Sequence, residues 1–274
     1  MKRKRKSVVG FVSGILLLGI FSCWNLGIED GGMIIDHNSA DASEIPDRFI
    51  SDVFEYDIYF EHASVGVNIM SGFTSLAVAD SRYDIPHTDS NFTDWFAVNN
   101  GIGDNSRGNN NPLWKADFFE TSMTTDDFAE SLHIAMYKLC YIDIQGTASE
   151  AFQYTVDTMT DLESAYPGTV FVWWTMPIMD SGSERRDDFN NMIRDYCREN
   201  DKWLFDIADL ERHFPDGSLN EDASGFELLC GDDDNIGETE DDYSADGGHL
   251  NSFGSERMAN ALWVLFAKIA GWNG

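Results

Sequence analysis

The amino-acid sequence predicts an α/β domain with a parallel sheet of about five strands between layers of helices. Two observations carry this. Short β-branched and aromatic runs alternate with stripes of apolar residues at helical spacing along most of the chain. One run, Thr169 to Thr175 (TVFVWWT), is apolar nearly throughout, the pattern of a strand covered on both faces. The length of 274 residues and a hydrophobic content of 43% supply enough core for one large domain.

The elements follow in order. Tyr56 to Ala63 (YDIYFEHA) reads as a buried strand. Ser64 and Gly66 mark a turn, after which Val65, Ile69, Phe73 and Leu76 recur with helical period. Leu132 to Leu139 reads as the next strand. Thr147 and Glu150 form a capping box that opens a helix with Phe152, Val156, Met159 and Leu162 on one face. Pro167-Gly168 turns the chain into strand 169–175. Phe189, Met192, Ile193 and Tyr196 mark another helix, and Trp203 to Asp206 a last short strand. A C-terminal helix shows Met258, Ala261, Leu262, Leu265, Phe266 and Ile269 before Gly271, the cleanest amphipathic pattern in the chain. Two stretches break the alternation and read as long loops: 81–128, with GIGDNSRGNNNP (Gly101 to Pro112) at its centre, and 215–248.

Charge narrows the partners. With 48 acidic and 18 basic residues the formal net charge is −30, which repels phosphate and excludes a nucleic-acid binder. The basic residues are unevenly placed: Lys2 to Lys6 precede an apolar run from Val8 to Phe21, too short for a spanning helix of ~20 residues. Residues 1–22 therefore read as a secretory signal, with an uncleaved anchor as the competing reading. Ile20-Phe21-Ser22-Cys23 resembles a lipoprotein cleavage box, so the one expected membrane link is a lipid on Cys23. Residues 23–47 read as a linker and 48–274 as the domain. The acidic surface suits either a salty habitat or an ordinary acidic exoprotein.

Three residues combine into a chemical pattern. Ser64 stands where a buried strand turns into a helix, so a hydroxyl there projects at the sheet edge beside helix N–H groups. Asp246 and His249 lie within four residues of each other just before the last helix, where a carboxylate can set the imidazole's tautomer. Separately, each has a plain structural reading, Ser64 as a helix cap and the Asp–His pair as a loop contact. Together they supply a nucleophile, a base and an orienter.

In order and spacing, residues ~54–270 resemble the SGNH (GDSL-like) hydrolases, in particular divergent members whose first block is His-x-Ser-x-Gly. Here that block is His62-Ala63-Ser64-Val65-Gly66, with Asn68 beyond, and Lys138, Cys140, Tyr141 and Asp143 match a Lys-x-Cys-Tyr-x-Asp segment. Thr175-Met176-Pro177 and Asn190 or Asn191 fit as well. The resemblance implies a flavodoxin-like three-layer α/β/α sandwich, with Ser64 as nucleophile, His249 as base and Asp246 as its orienter. It implies oxyanion donors from the serine N–H, a glycine of the second block (Gly101 or Gly103) and an asparagine of the third. That asparagine is missing at the end of strand 132–139, so Lys138, Asn68, Asn100 or backbone groups are the substitutes to consider. The implied activity is ester hydrolysis, with an O-acyl group on a carbohydrate as substrate class. A non-catalytic glycan-binding module and an O-acyltransferase are the alternatives.

No cofactor and no metal is expected. His37, His87, His133 and His213 show no metal spacing, and His62 reads as structural. The acidic run from Asp232 to Asp242 lacks an EF-hand pattern and reads as a solvated loop. Lys138 has an ion pair with Asp143 as its alternative role. Cys140 reads as core, and Cys197 and Cys230 as a candidate disulfide. Trp95, Phe96, Trp114, Phe118 and Phe119 surround the Asn/Gly loop and divide between core packing and a sugar-stacking platform.

Overall fold

The computed structural model describes residues 33–87, 101–106, 111–143, 145–179, 183–219 and 247–274. Residues 1–32 with Cys23, Trp95, Phe96, Asn100, Cys230, the acidic run 232–242 and Asp246 lie outside the described residues.

Six parallel strands form one sheet: β1 (Ile34–Ile35), β2 (Asp57–His62), β3 (Gly101–Ser106), β4 (Ile134–Tyr137), β5 (Val170–Trp174) and β6 (Leu204–Phe205). Their order across the sheet is β1-β6-β5-β4-β2-β3. The helices are α1 (Asp47–Val53), α2 (Val65–Ala79), α3 (Pro112–Thr124), α4 (Ala148–Ala165), α5 (Glu184–Glu199), α6 (Ile207–Arg212) and α7 (Ser252–Ile269). Setting β1 aside, the strand order is the flavodoxin-like 2-1-3-4-5, and the winding reverses between β2 and β4. Ligands of such sheets bind beyond the carboxyl ends of the strands at that reversal.

Strand alternation sorts the side chains into two layers. Ile58, Phe60, Ile134, Met136, Val172 and Trp174 pack with α1, α2 and α7. Tyr59, Ala135, Tyr137, Phe171 and Trp173 pack with α3, α4 and α5. The sequence stripe on α7 understates its burial, because Trp263, Val264 and Ala267 are buried as well. A buried side chain of the size of Val264, Leu265 or Phe266 contributes about 1.5–3 kcal/mol by leaving water. Helix α7 lies very close to α2: a Cβ on Gly72 would sit 2.1 Å from the Ser255 carbonyl oxygen. The capping box of α4 forms as expected, with Glu150 N–H donating to Thr147 Oγ1 (3.1 Å) and Thr147 N–H to Glu150 Oε2 (2.9 Å). Among the described residues no helix is long and apolar enough to cross a membrane.

Three expectations need correction. Residues 33–47 are not all linker: Ile34 and Ile35 pair with Leu204 and Phe205 as one of six described strands, and Ala42 and Ile45 are buried. The folded unit therefore begins before residue 48. The first half of the Asn/Gly loop is strand β3, at the end of the described strand order, paired with β2 and bridged to His87 through Ile102. The irregular stretch 81–128 also contains α3, opened by Asn111, whose side chain accepts from Trp114 N–H, and by Pro112.

Candidate active site

Ser64 occupies the N-cap position of α2, yet its side chain makes no cap hydrogen bond. Its backbone has φ 56° and ψ −109°, a left-handed conformation costly for a residue with a Cβ. The turn is tight for a second reason: a Cβ on Gly66 would lie 2.4 Å from His62 Cβ and Cγ. Only a glycine two residues after the serine lets the first turn of α2 pass the end of β2 this closely. The strand end, the serine at positive φ and the close-passing helix meet at one tight turn.

The Ser64 hydroxyl meets His249. Ser64 Oγ is hydrogen-bonded to His249 Nε2, across 185 residues of sequence. With the imidazole proton on Nδ1, the hydroxyl donates and Nε2 accepts. His249 enters from the loop before α7, and that helix is capped by Asn251, whose side chain accepts from Gly254 N–H at 2.9 Å. The loop is held close by a second glycine: a Cβ on Gly248 would sit 2.7 Å from Tyr141 Cζ. Tyr141 in turn packs edge-on against the imidazole, its hydroxyl 3.3 Å from Nδ1 and 3.4 Å from Nε2. Arg186, fully buried, donates to the Tyr141 carbonyl oxygen at 3.4 Å. Tyr141 follows β4 and Ser64 follows β2, so the pair straddles the strands where the sheet reverses its winding.

Of the other sequence-derived candidates, Asp246 lies outside the described residues. Gly101 and Gly103 belong to the sheet rather than to its edge. Register pairs Gly101 with Asp57 and Gly103 with Tyr59, whereas His62 pairs with Ser106. At about 3.3 Å per residue this leaves Gly103 some 10 Å and Gly101 some 16 Å short of the carboxyl edge. Neither can donate to an oxyanion at Ser64. Asn68 sits one helical turn beyond Ser64, and its buried Oδ1 has no hydrogen-bond partner among the described residues.

Lys138 directly follows β4 at 1% exposure, beside Glu61, His62, Lys115 and Tyr137 around a small cavity. Its Nζ has no hydrogen-bond partner among the described residues, and burial drives its pKa down. It is thus embedded beneath the edge rather than presented to a substrate. The ion pair with Asp143 is not formed by Lys138. Lys115 takes Asp143 instead, at 2.5 Å, and Asp143 also accepts from Cys140 N–H (2.6 Å) and Asn111 N–H (3.1 Å). This buried hub ties the start of α3 to the loop carrying Tyr141.

Tyr141, Gly248 and Gly66 are the residues whose part in the site the sequence did not disclose. The motif match picked out Tyr141 and Gly66 as positions, without their contacts. Among the described residues one cluster has metal-ligand composition, His37, Asp209 and His213, at the far β1–β6 side of the sheet. This corrects the expectation that His37 and His213 lack metal-spaced partners. His133 and His87 are structural: His133 Nδ1 accepts from Asp57 N–H (3.0 Å), and His87 bonds to Thr74 and to the Ile85 carbonyl oxygen. Cys140 is buried in the core as expected, and Cys197 is buried too.

The comparisons agree with this architecture. A crystal structure from Bacteroides fragilis NCTC 9343, assigned as an acylhydrolase, superposes with a TM-score of 0.50 at 13% identity, over 84% of this chain and 93% of that one. Another from Parabacteroides merdae ATCC 43184, assigned as a GDSL-like lipase, has a TM-score of 0.50 at 13% identity, over 78% of this chain and 96% of that one. The chain thus has the three-layer α/β/α fold of GDSL-like proteins. No protein-family model and no curated protein sequence matches it.

Proposed function

We propose that this chain is a serine esterase that removes an O-acyl group from a carbohydrate, with Ser64 as nucleophile, His249 as general base and Asp246 as orienter. One observation carries the reading. Ser64 gives up the cap hydrogen bond open to a serine at a helix start, adopts a strained backbone and bonds to an imidazole.

The chemistry follows from that geometry. His249 Nε2 takes the hydroxyl proton as Ser64 Oγ bonds to the acyl carbon, and the carbonyl oxygen becomes an oxyanion. The oxyanion faces the start of α2, where the Val65 N–H has no acceptor one turn earlier. The imidazolium returns its proton to the departing sugar oxygen. Water then attacks the acyl-enzyme with His249 again as base, releasing the acid and restoring Ser64. Asp246, three residues from His249, would hold the imidazole in the Nδ1–H tautomer.

Aromatic and polar surface on the same sheet edge supports a carbohydrate. Trp114 at the start of α3 is 40% exposed and stands edge-on to Phe118, with ring centroids 4.4 Å apart. Phe119, by contrast, is fully buried against Tyr137 and belongs to the core. An open cleft of about 460 Å³ between the starts of α4 and α5 is lined by Thr147, Ser149, Ser183, Arg185 and Asp188. It shares the sheet edge with Ser64 without including the catalytic pair. Basic residues 2–6 and the apolar run after them support export, with Cys23 as the site of an anchoring lipid.

The test is acid release from acetylated polysaccharides and simple aryl esters by the mature chain and by Ser64→Ala. The reading expects turnover by the first and a loss of at least about 10³-fold in the second. Glycan binding without turnover in either would replace it with a binding module.

A further inference from the structure

We propose that His37, Asp209 and His213 form a binding site for one divalent transition-metal ion of the zinc type. It would clamp the first strand of the sheet to α6.

The three residues come from separated parts of the chain. His37 opens the 3₁₀ turn that follows β1, Asp209 lies within α6, and His213 ends that helix. Parallel pairing of β1 with β6 brings them together, since α6 follows β6 directly. One donor atom from each residue lies within 4.8 Å of the other two. His37 Nδ1 is 2.6 Å from Asp209 Oδ2, and His213 Nδ1 is 3.6 Å from Asp209 Oδ1. Both imidazoles therefore turn the same nitrogen toward one carboxylate. Their rings stack, with centroids 3.6 Å apart and planes 15° apart. The side chains are only 15–24% exposed, so the cluster is shielded yet reachable.

Two imidazole nitrogens and one carboxylate oxygen are the donor set of three-ligand zinc sites, which leave a further position for water. The site is also held in place around its donors. His37 N–H donates to Asp209 Oδ2 at 3.0 Å, whereas His213 Nδ1 is bonded to the Asp209 carbonyl oxygen at 2.8 Å, a bond that has to break for that nitrogen to meet the ion. The His37 main-chain bond fixes the carboxylate before the ion arrives.

Occupancy has a definite structural cost. Zinc–nitrogen bonds of about 2.0–2.1 Å in a tetrahedron keep donors about 3.3 Å apart. The His37 Nδ1–Asp209 Oδ2 contact at 2.6 Å has to open. A nitrogen lone pair lies in its ring plane, so the stacked imidazoles must fan apart about the ion. Each neutral ring moves its proton to Nε2 and offers the Nδ1 lone pair, with no net proton loss.

The site is separate from the catalytic pair. Strands β6, β5 and β4 lie between β1 and β2, so about 19 Å of sheet separates the two. Metal binding is thus expected to act on stability and leave Ser64 untouched. Because β1 is two residues long, the clamp would add directly to the hold on the N-terminal segment.

The experiment uses the mature chain stripped with chelator, titrated with zinc chloride in excess magnesium to occupy loose carboxylates. The proposal expects saturable one-to-one binding by calorimetry and a Tm that rises with each further tenfold of zinc. It also expects zinc to protect His37 and His213 from diethyl pyrocarbonate, read by peptide mass spectrometry on unmutated protein. The His37→Ala, His213→Ala double variant should lose both the binding and the Tm response. Equal zinc binding by that variant, unprotected histidines, or no saturable binding would each overturn the proposal.

Discussion

Gly66→Ala tests the turn on which the candidate site is built. The added Cβ would lie 2.4 Å from His62 Cβ and Cγ and 2.5 Å from its Nδ1, where ordinary contact begins near 3.4 Å. The first of those atoms is bonded to the backbone, so no rotation of the imidazole relieves the clash. The start of α2 must recede from β2 by about an ångström, or the strained turn at Ser64 must relax; overpacking of this kind costs about 1–3 kcal/mol. The catalytic effect is expected to exceed that of the lost stability. A misplacement of about 1 Å in the reacting group is worth about 100-fold in rate. The assay pairs Tm with kcat/KM on an aryl ester and with the rate of Ser64 acylation. Adding His62→Gly to the variant removes the opposing side chain and should recover much of the rate. A Gly66→Ala protein with the parent Tm and a kcat/KM within about threefold of the parent would refute the reasoning.

Three further outcomes follow from buried polar groups. Burial pushes the Glu211 carboxyl up to about 8, although the Ile178 N–H and the charges of Lys138, Arg186 and Arg212 pull it down. Between about pH 4.5 and 8 the folded chain holds a proton that the unfolded chain has lost, so this contribution is full below 4.5 and vanishes as pH rises through 8. Glu211→Gln keeps an oxygen for the Ile178 N–H, and its urea midpoint should overtake the parent's toward pH 9; parallel pH profiles would contradict this. Asp143→Asn strands the buried Lys115 ammonium and should cost about 3–5 kcal/mol in chemical denaturation, and a loss below about 1 would show that Lys115 finds another partner. Tyr141→Phe keeps the ring against Gly248 but removes the hydroxyl beside His249, so kcat/KM should fall about fivefold with Tm unchanged; unchanged kinetics would reduce Tyr141 to packing.

The parts of the fold legible in the sequence are those whose burial is one-sided or complete. Strand β5 announced itself because both faces are covered, and α4 because Thr147 and Glu150 cap it by their own side chains. Strand β3 (GIGDNS) escaped because two glycines and three polar residues carry almost no strand propensity; its pairing with β2 imposes the conformation. Helix α3 escaped because its buried positions include Lys115 and Ser122, which serve the Asp143 and Glu61 contacts and blur the apolar stripe. Strand β1 is two residues long and has meaning only beside β6.

The site divides along the same line. Ser64 and His249 were legible because each sits at a boundary between elements, where a polar residue stands out. The glycines at 101 and 103 were misplaced because their distance from the edge depends on register, which no local pattern encodes. The approach of His37 to Asp209 spans 172 residues and is created wholly by strand pairing.

Fluorophosphonate labelling of residues 23–274, with the adduct mapped by mass spectrometry and Ser64→Ala alongside, tests the central claim most directly. An activated serine paired with His249 predicts one adduct, on Ser64, absent from the variant. No adduct on a folded protein at low and at high salt, or equal labelling of Ser64→Ala, would contradict it.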